Sequence, residues 1–152
     1  MRSLLRSALV AGLAVLALTA GSLVGSSAPV SATTRGQLER EFVHKINHAR
    51  HNHGLRLVKR RVSLTRYARH HSVKMAEAGY LYHTSNFGVI CCWRSIGENV
   101  GYGPTVDSVN YAFMHSPDHR ANILDRDWHG VGVGVYRSGG RIWVTEIFRQ
   151  PW

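Results

Sequence analysis

Apolar residues recur at helical spacing between residues 38 and 124, and each periodic stretch ends at a helix-breaking residue. Leu38, Phe42 and Ile46 stand four positions apart, and their pattern stops at Gly54. Residues three or four positions apart share a face of a helix, and glycine or proline ends it, so these stretches predict amphipathic helices. The predicted helices cover about residues 38–53, 63–79 and 106–115, with a short fourth helix over residues 117–124.

The end of the chain has the pattern of β-strands. Residues 130–135 alternate glycine and valine, and residues 141–148 are rich in strand-forming side chains, with a Ser-Gly-Gly turn signal between them. The glycines leave one face of the first strand nearly bare, so we expect a helix or another backbone to pack closely there. Helices followed by an antiparallel hairpin predict an α+β fold. Residues 84–96 are predicted to be irregular.

The first 32 residues have the features of a signal peptide. Arg2 and Arg6 precede an uncharged apolar run, and Val30-Ser31-Ala32 supplies small residues for cleavage before Thr33. The apolar run is shorter than the ~20 residues that a membrane-spanning helix needs. The sequence therefore predicts a signal peptide at 1–32 and a single domain at 33–152. It predicts a secreted, extracellular protein and not an integral membrane protein.

The predicted domain is strongly basic. Arg2 and Arg6 are the only charged residues among the first 32, so the rest of the chain holds 17 Lys and Arg against 9 Asp and Glu. Such a charge favours anionic partners, either acidic lipids or an envelope polymer, with a merely solvated face as the alternative. Nucleic acid is not an expected partner, because no recognition motif accompanies the charge. Six of these cations are Arg56, Lys59, Arg60, Arg61, Arg66 and Arg69.

The two cysteines, Cys91 and Cys92, are adjacent. Neighbouring Cα atoms lie ~3.8 Å apart, below the roughly 4.4–6.8 Å that most disulfides span. A bridge to a second molecule, two thiols or a vicinal ring are all compatible with the sequence. In each case the pair cannot link distant parts of the domain.

Histidine is abundant, but the histidines of the first helix do not form a metal motif. A zinc-protease helix has a glutamate directly after its first histidine, and here Lys45 follows His44. His44, His48 and His51 also lie largely off the apolar face. We expect them to face solvent.

Two other histidines and a carboxylate are candidates for chemistry. His83 follows the second predicted helix, Glu98 lies in a Gly-Glu-Asn segment that we expect to be a central loop, and His119 follows the third helix. Each alone could have a structural role. Together, two imidazoles and a carboxylate suit a divalent metal such as zinc, or proton transfer. Only the fold can bring them together, since 15 and 21 residues separate them.

The order of these segments resembles the CAP superfamily, which comprises cysteine-rich secretory proteins, antigen 5 and pathogenesis-related proteins. The specific motifs are Gly97-Glu98-Asn99 and Ser116 to Leu124, and the resemblance, strongest for short bacterial secreted members, covers nearly all of residues 35–149. It implies a three-layer α-β-α sandwich with a small antiparallel sheet. Arg50 also fits the family pattern, and we expect it to anchor structure.

The resemblance further implies a cleft lined by two histidines and two acidic residues. His83, Glu98 and His119 match three of them, and His83 and His119 are the candidate metal ligands. The fourth, a glutamate on the helix before the second histidine, has no counterpart, since residues 111–116 contain no acid and His115 or Ser116 occupies that neighbourhood. Glu146 on the last strand could supply a carboxylate from another side, or pack beside the cleft.

Two functions compete. The first is a non-catalytic extracellular binding module for a lipid, an envelope polymer or a protein, favoured because the chain has no recognisable nucleophile motif. The second is a metal-dependent hydrolase or peptidase in which His83 and His119 hold a water-activating ion and Glu98 acts as base or ligand. Cys92 acting as a nucleophile beside a histidine is a minor third possibility.

Overall fold

The computed structural model describes residues 33–88 and 90–152. The signal peptide predicted at 1–32 lies outside the described residues. The elements within them, in chain order, are α1 (Arg35–Asn52), β1 (Lys59–Arg60), α2 (Val62–Ala78), β2 (Ser95–Gly103), α3 (Val106–His115), α4 (Pro117–Leu124), β3 (Gly130–Ser138) and β4 (Arg141–Gln150).

The four predicted helices are all present, and local chemistry sets their ends. Thr34 caps α1 in a capping box with Gln37, and Thr105 caps α3 in the same way with Ser108. Gly79 ends α2 in the left-handed conformation, with φ of 81°. Pro117 occupies the first turn of α4, where its missing N–H costs nothing.

The strands form one mixed sheet in the order β1-β3-β4-β2. The predicted hairpin of β3 and β4 is confirmed, and β1 pairs with β3 in parallel. The prediction of a loop around Glu98 is wrong, because residues 95–103 form the edge strand β2, antiparallel to β4 along its whole length. Glycines at 97, 101 and 103 hide this strand in the sequence. They are needed because Trp128, Phe113 and Val109 press against them.

Helices cover both faces of the sheet, which confirms the α-β-α sandwich. On one face, α2 packs against β3 and β4 through Leu64, Ala68 and Ile147. On the other face, α1, α3 and α4 enclose the main core with the valines of β3. The predicted close approach to the glycine face of β3 is confirmed, because a Cβ at Gly132 or Gly134 would collide with the backbone of α2.

Arg50 anchors structure, as predicted. Its guanidinium is fully buried at the end of α1 and donates to the backbone carbonyls of Arg56, Ile123 and Asp125. Burial lowers the pKa of this guanidinium, while the charge of Asp125 acts in the opposite direction. The side chain therefore ties the end of α1 to the end of α4.

Candidate functional site

Glu98 organises one half of the candidate site. Its carboxylate is nearly buried on β2 and both oxygens are engaged. Oε1 accepts from the Nδ1–H of His83 at 2.9 Å and from the backbone N–H of Thr84 at 2.8 Å, and Oε2 accepts from the Thr84 hydroxyl at 2.7 Å. Since the carboxylate accepts at Nδ1, the Nε2 atom of His83 carries the lone pair. That side chain is 64% exposed, so the lone pair is open to a ligand.

His71 holds the segment that leads to His83. It is buried on α2, and its Nε2–H donates to the carbonyl oxygen of Tyr82 at 2.8 Å. The two rings also meet edge to face with centroids 4.9 Å apart. His71 therefore has a structural role. It fixes the backbone directly before His83.

His119 forms the other half of the site, on α4. Its Nδ1 lies 2.8 Å from the hydroxyl of Ser116, and its ring stacks on Phe113 at 4.8 Å between centroids. Desolvation by burial lowers the pKa of His119, and the charge of His83 lowers it further. Asp118 and a hydrogen bond with the backbone of Val100 act in the opposite direction. His119 therefore lies close enough to His83 for the charge of His83 to affect its pKa. We call His83, Glu98 and His119 the histidine–glutamate site.

Two asparagines fix the position of His119 relative to Glu98. The amide of Asn99, fully buried, donates to the carbonyl of His119 at 3.2 Å, and its Oδ1 accepts from Asn122 at 3.0 Å. Asn122 also donates to the carbonyl of Glu98 at 3.1 Å and accepts from the indole N–H of Trp128 through its own backbone carbonyl. The Gly-Glu-Asn motif on β2 and the Asn-Ile-Leu motif on α4 are therefore hydrogen-bonded to each other and hold β2 against α4.

Glu146 does not join His83 and Glu98. It pairs with Asn99 in the β2–β4 register, whereas Glu98 pairs with Ile147, so the two carboxylates point to opposite faces of the sheet. Glu146 is fully buried, and its Oε2 accepts from the Asn99 amide at 3.0 Å. Burial raises its pKa to about 8, against the effect of that hydrogen bond. Its position matches the alternative of packing and hydrogen-bonding beside the cleft.

Among the described residues, the site lacks a closed set of protein ligands for a metal. Within residues 33–88 and 90–152, no three His, Cys, Asp or Glu side chains are arranged to hold one ion. Both carboxylate oxygens of Glu98 accept hydrogen bonds from His83 and Thr84. A carboxylate in this arrangement orients a histidine that binds a metal. His83 and His119 remain the predicted ligands, with Glu98 behind His83.

Other sequence-predicted residues lie apart from this site. His44, His48 and His51 lie on α1 away from the histidine–glutamate site, and all three are exposed, as expected. Cys91 and Cys92 form the vicinal disulfide, one of the open alternatives, on an exposed turn before β2. Thr84, Asn99, Asn122 and Trp128 were not singled out for the site. Asn99 and Asn122 lie inside the motifs that carried the resemblance. Those motifs were therefore the only sign in the sequence that the two side chains belong to the site.

Fold and site together define a three-layer sandwich with a polar histidine–glutamate site at an edge strand. The model of the cysteine-rich secretory protein family, CAP, matches residues 43–148. This chain belongs to the CAP family.

Known relatives agree with this assignment. The uncharacterised protein YkwD of Bacillus subtilis is 31% identical over 134 residues, which cover 80% of this chain and 50% of YkwD, so the chain spans about half the length of that relative. An extracellular protein containing a SCP domain from Bacillus anthracis superposes with a TM-score of 0.61 at 25% identity, over 82% of this chain and 45% of that one. An outer surface protein from Borrelia burgdorferi shares the fold, with a TM-score of 0.68 at 17% identity over 74% and 92% of the two chains.

No helix in the part of the chain that the structure describes is both long enough and apolar enough to cross a membrane.

Proposed function

We propose that this chain is a secreted, non-catalytic binding module whose ligand docks at the histidine–glutamate site. One observation carries the proposal: both oxygens of Glu98 are committed to hydrogen bonds with His83 and Thr84. A carboxylate so engaged fixes the shape of a polar surface, whereas a general base needs an oxygen within reach of a substrate proton. The site then offers two oriented imidazoles, the hydroxyl of Ser116 and a rigid backbone.

The ligand class follows from what the site can recognise. Imidazole nitrogens accept or donate hydrogen bonds and become cationic when protonated, so they suit hydroxyl, phosphate or carboxylate groups. A lipid headgroup, an envelope polymer and a protein surface all carry such groups. The extracellular and outer-surface CAP proteins among the structural neighbours support an exported role.

The test compares binding of the exported protein to fractionated envelope polymers and envelope lipids, measured by co-sedimentation. His83→Ala combined with His119→Ala should weaken binding roughly tenfold or more, since two hydrogen-bonding partners are lost. His44→Ala combined with His51→Ala serves as the control, because it removes the same number of histidines from the surface of α1. Wild-type binding by the His83/His119 variant, or no binding of the wild type to any fraction, would contradict the proposal.

A metal-dependent hydrolase is the second candidate, favoured by the carboxylate–histidine pair of Glu98 and His83. His83 and His119 would hold a zinc ion, which when bound supplies a Lewis acid and an activated water. Glu98 would keep the Nδ1–H of His83 oriented so that Nε2 faces the ion. Calorimetric titration with zinc at neutral pH, together with a peptidase assay, tests this function. Absence of zinc uptake, or hydrolysis that persists in the His83/His119 variant, rules it out.

A further inference from the structure

The six cations between residues 56 and 69, which we call the basic segment, fall into two groups in the fold. Arg69 donates from two nitrogens to the buried carboxylate of Glu39, and Arg35 and Arg60 approach the same carboxylate at 3.9 and 3.8 Å. These cations are partly neutralised. The side chains of Arg56, Lys59, Arg61 and Arg66 make no ion pair within residues 33–88 and 90–152.

A fifth cation joins this second group from the far end of the chain. Lys59 on β1 and Arg149 on β4 both pair with Gly130 on β3, which lies between them. The side chain of Arg61 covers Gly130, where a Cβ would lie 2.8 Å from its Cγ. The Nε atoms of Arg61 and Arg149 are buried without a hydrogen-bond acceptor among the described residues. The cations therefore gather at one end of the sheet.

Two neighbouring grooves open at this end. One, of about 510 Å³, is bordered by Arg66 and Arg149 together with the Cys91–Cys92 ring. The other, of about 350 Å³, is bordered by Arg56, Leu57, Lys59, Arg61 and His129. None of the described residues that line either groove is acidic.

Apolar side chains are exposed among the same cations. Leu57 is 49% exposed beside Lys59, and Val62 is 64% exposed directly after Arg61. Trp152, three residues beyond Arg149, is 87% exposed. We call this surface the basic end: Arg56, Lys59, Arg61, Arg66 and Arg149 with the exposed apolar residues Leu57, Val62 and Trp152.

We infer that the basic end docks on the surface of a membrane that contains anionic lipids. Cations attract the negatively charged headgroups, and each contributes to adsorption when it lies near the surface. A soluble anionic polymer would use the cations alone. Leu57 and Val62 distinguish the two partners, since apolar side chains beside cations gain free energy by entering the boundary between headgroups and acyl chains. This surface includes no residue of the histidine–glutamate site, so the inference does not depend on the ligand proposed there.

The experiment measures co-sedimentation of the exported protein with vesicles of phosphatidylglycerol and phosphatidylcholine in equal parts, and with pure phosphatidylcholine. The wild type should bind the anionic vesicles selectively and lose affinity as salt rises. Lys59→Gln combined with Arg66→Gln should weaken binding roughly 25-fold, from about fivefold for each cation removed. Lys74→Gln combined with Arg137→Gln makes the same charge change away from the basic end and should weaken binding less than about twofold.

A second pair of variants separates a membrane from a polymer. Leu57→Ser combined with Val62→Ser leaves every charge in place and should weaken binding to anionic vesicles roughly tenfold, most visibly at high salt. Binding to soluble poly(glycerol phosphate) should be weaker than vesicle binding and unaffected by this pair. Equal losses in the Lys59/Arg66 and Lys74/Arg137 variants would overturn the inference in favour of net charge alone. Vesicle binding unaffected by Leu57→Ser and Val62→Ser would overturn it in favour of a polymer.

Discussion

At the scale of single residues, the histidine–glutamate site depends on how one carboxylate distributes its hydrogen bonds. Glu98 accepts from His83 and twice from Thr84, so it selects the tautomer of one ring and fixes the adjacent backbone. A ligand then meets a ring whose donor and acceptor positions are set in advance. Such preorganisation reduces the entropic cost of binding, because the side chains are already ordered.

Removing this carboxylate should release the His83 ring. We expect Glu98→Ala to convert the single Nδ1–H tautomer of His83 into a mixture, because the acceptor at Nδ1 is lost. The ¹⁵N chemical shifts of the ring nitrogens report the tautomer directly. Glu77→Ala, which removes a carboxylate near the end of α2, should change nothing. Unaltered His83 shifts in Glu98→Ala would show that the ring is held by other contacts.

Glu146 gives stability a specific dependence on pH. Its pKa is raised to about 8 by burial, from an ordinary value of 4.5, so the folded chain keeps a proton that the unfolded chain releases. Its contribution to stability is therefore fully present below pH 4.5 and is lost progressively as the pH rises to about 8.

Glu146→Gln should remove that dependence, because the amide stays neutral at every pH and can accept from Asn99 as the carboxyl does. The free energy of unfolding at pH values above this window should rise by roughly 5 kcal/mol, because the pKa is raised from 4.5 to about 8 and each pKa unit corresponds to about 1.4 kcal/mol. Urea denaturation at a series of pH values measures it. Glu41→Gln, at an exposed position on α1, is the control. Parallel pH profiles for wild type and Glu146→Gln would refute a neutral buried carboxyl.

At the scale of elements, α2 lies almost directly on the backbone of β3. The glycines of β3 leave no side chain between the strand and the helix, and Ser72 on α2 donates to the carbonyl of Gly134 at 3.0 Å. The contact therefore combines close packing with a buried hydrogen bond. A side chain at these positions would have to separate the two layers.

Gly134→Ala tests this contact. The added methyl group would collide with the backbone at Ala68 and Arg69, and we expect the free energy of unfolding to fall by roughly 2–4 kcal/mol. The matched control is Gly36→Ala in the first turn of α1, where the nearest atom to a new Cβ is 3.5 Å away. It should be neutral or stabilising by up to about 1 kcal/mol. Urea midpoints measure both, and equal midpoints for Gly134→Ala and wild type would exclude the close contact.

The helices and the hairpin were predictable because local signals define them. Each of these signals lies within a few residues of the element it defines. They are the apolar periodicity of the helices, the helix ends at Gly79 and Pro117, and the turn before β4. The strand β2 was missed because tertiary packing, not strand propensity, determines its sequence: Gly97 and Gly101 make room for Trp128 and Phe113. Propensity penalises glycine in a strand, so the prediction from sequence alone placed a loop there.

For the histidine–glutamate site, the sequence identified the chemistry but not the contacts. His83, Glu98 and His119 were visible as residue types that suit one another. The partners of Glu98, and the opposite orientation of Glu146, depend on strand register, which shifts every side chain to the other face if it slips by one residue. That register is set by pairing between β2 and β4, and these strands are far apart in the chain.

At the scale of the whole molecule, charge is distributed by the fold and not by sequence position. Glu39 partly neutralises Arg60 and Arg69, which belong to the basic segment, while Arg149 from the last strand joins the remainder. A basic patch defined only by sequence position therefore includes the neutralised Arg60 and Arg69 and leaves out Arg149. The surface that a partner meets can be defined only once the strands are paired.

Removal of the predicted signal peptide would determine which residue begins the domain. From the pattern of residues 1–32, we propose cleavage before Thr33, which would leave Thr34 to cap α1 near the new amino terminus. Expression in a bacterium with export should yield a protein in the medium that begins at Thr33, as read by N-terminal sequencing and intact mass. Replacing Ala32 with a bulky residue should block processing there. A medium-borne protein that retains residues 1–32 would contradict the proposal.

The vicinal disulfide differs from the bridges of most small disulfide-containing domains, which link distant parts of the chain. Cys91 and Cys92 are neighbours, so the bond encloses almost no chain and removes almost no freedom from the unfolded ensemble. Folding therefore needs no oxidising compartment and no isomerase to sort pairings. The domain should reach the same fold in a reducing cytoplasm, and the thiols of that segment can be oxidised or reduced while the sandwich stays assembled.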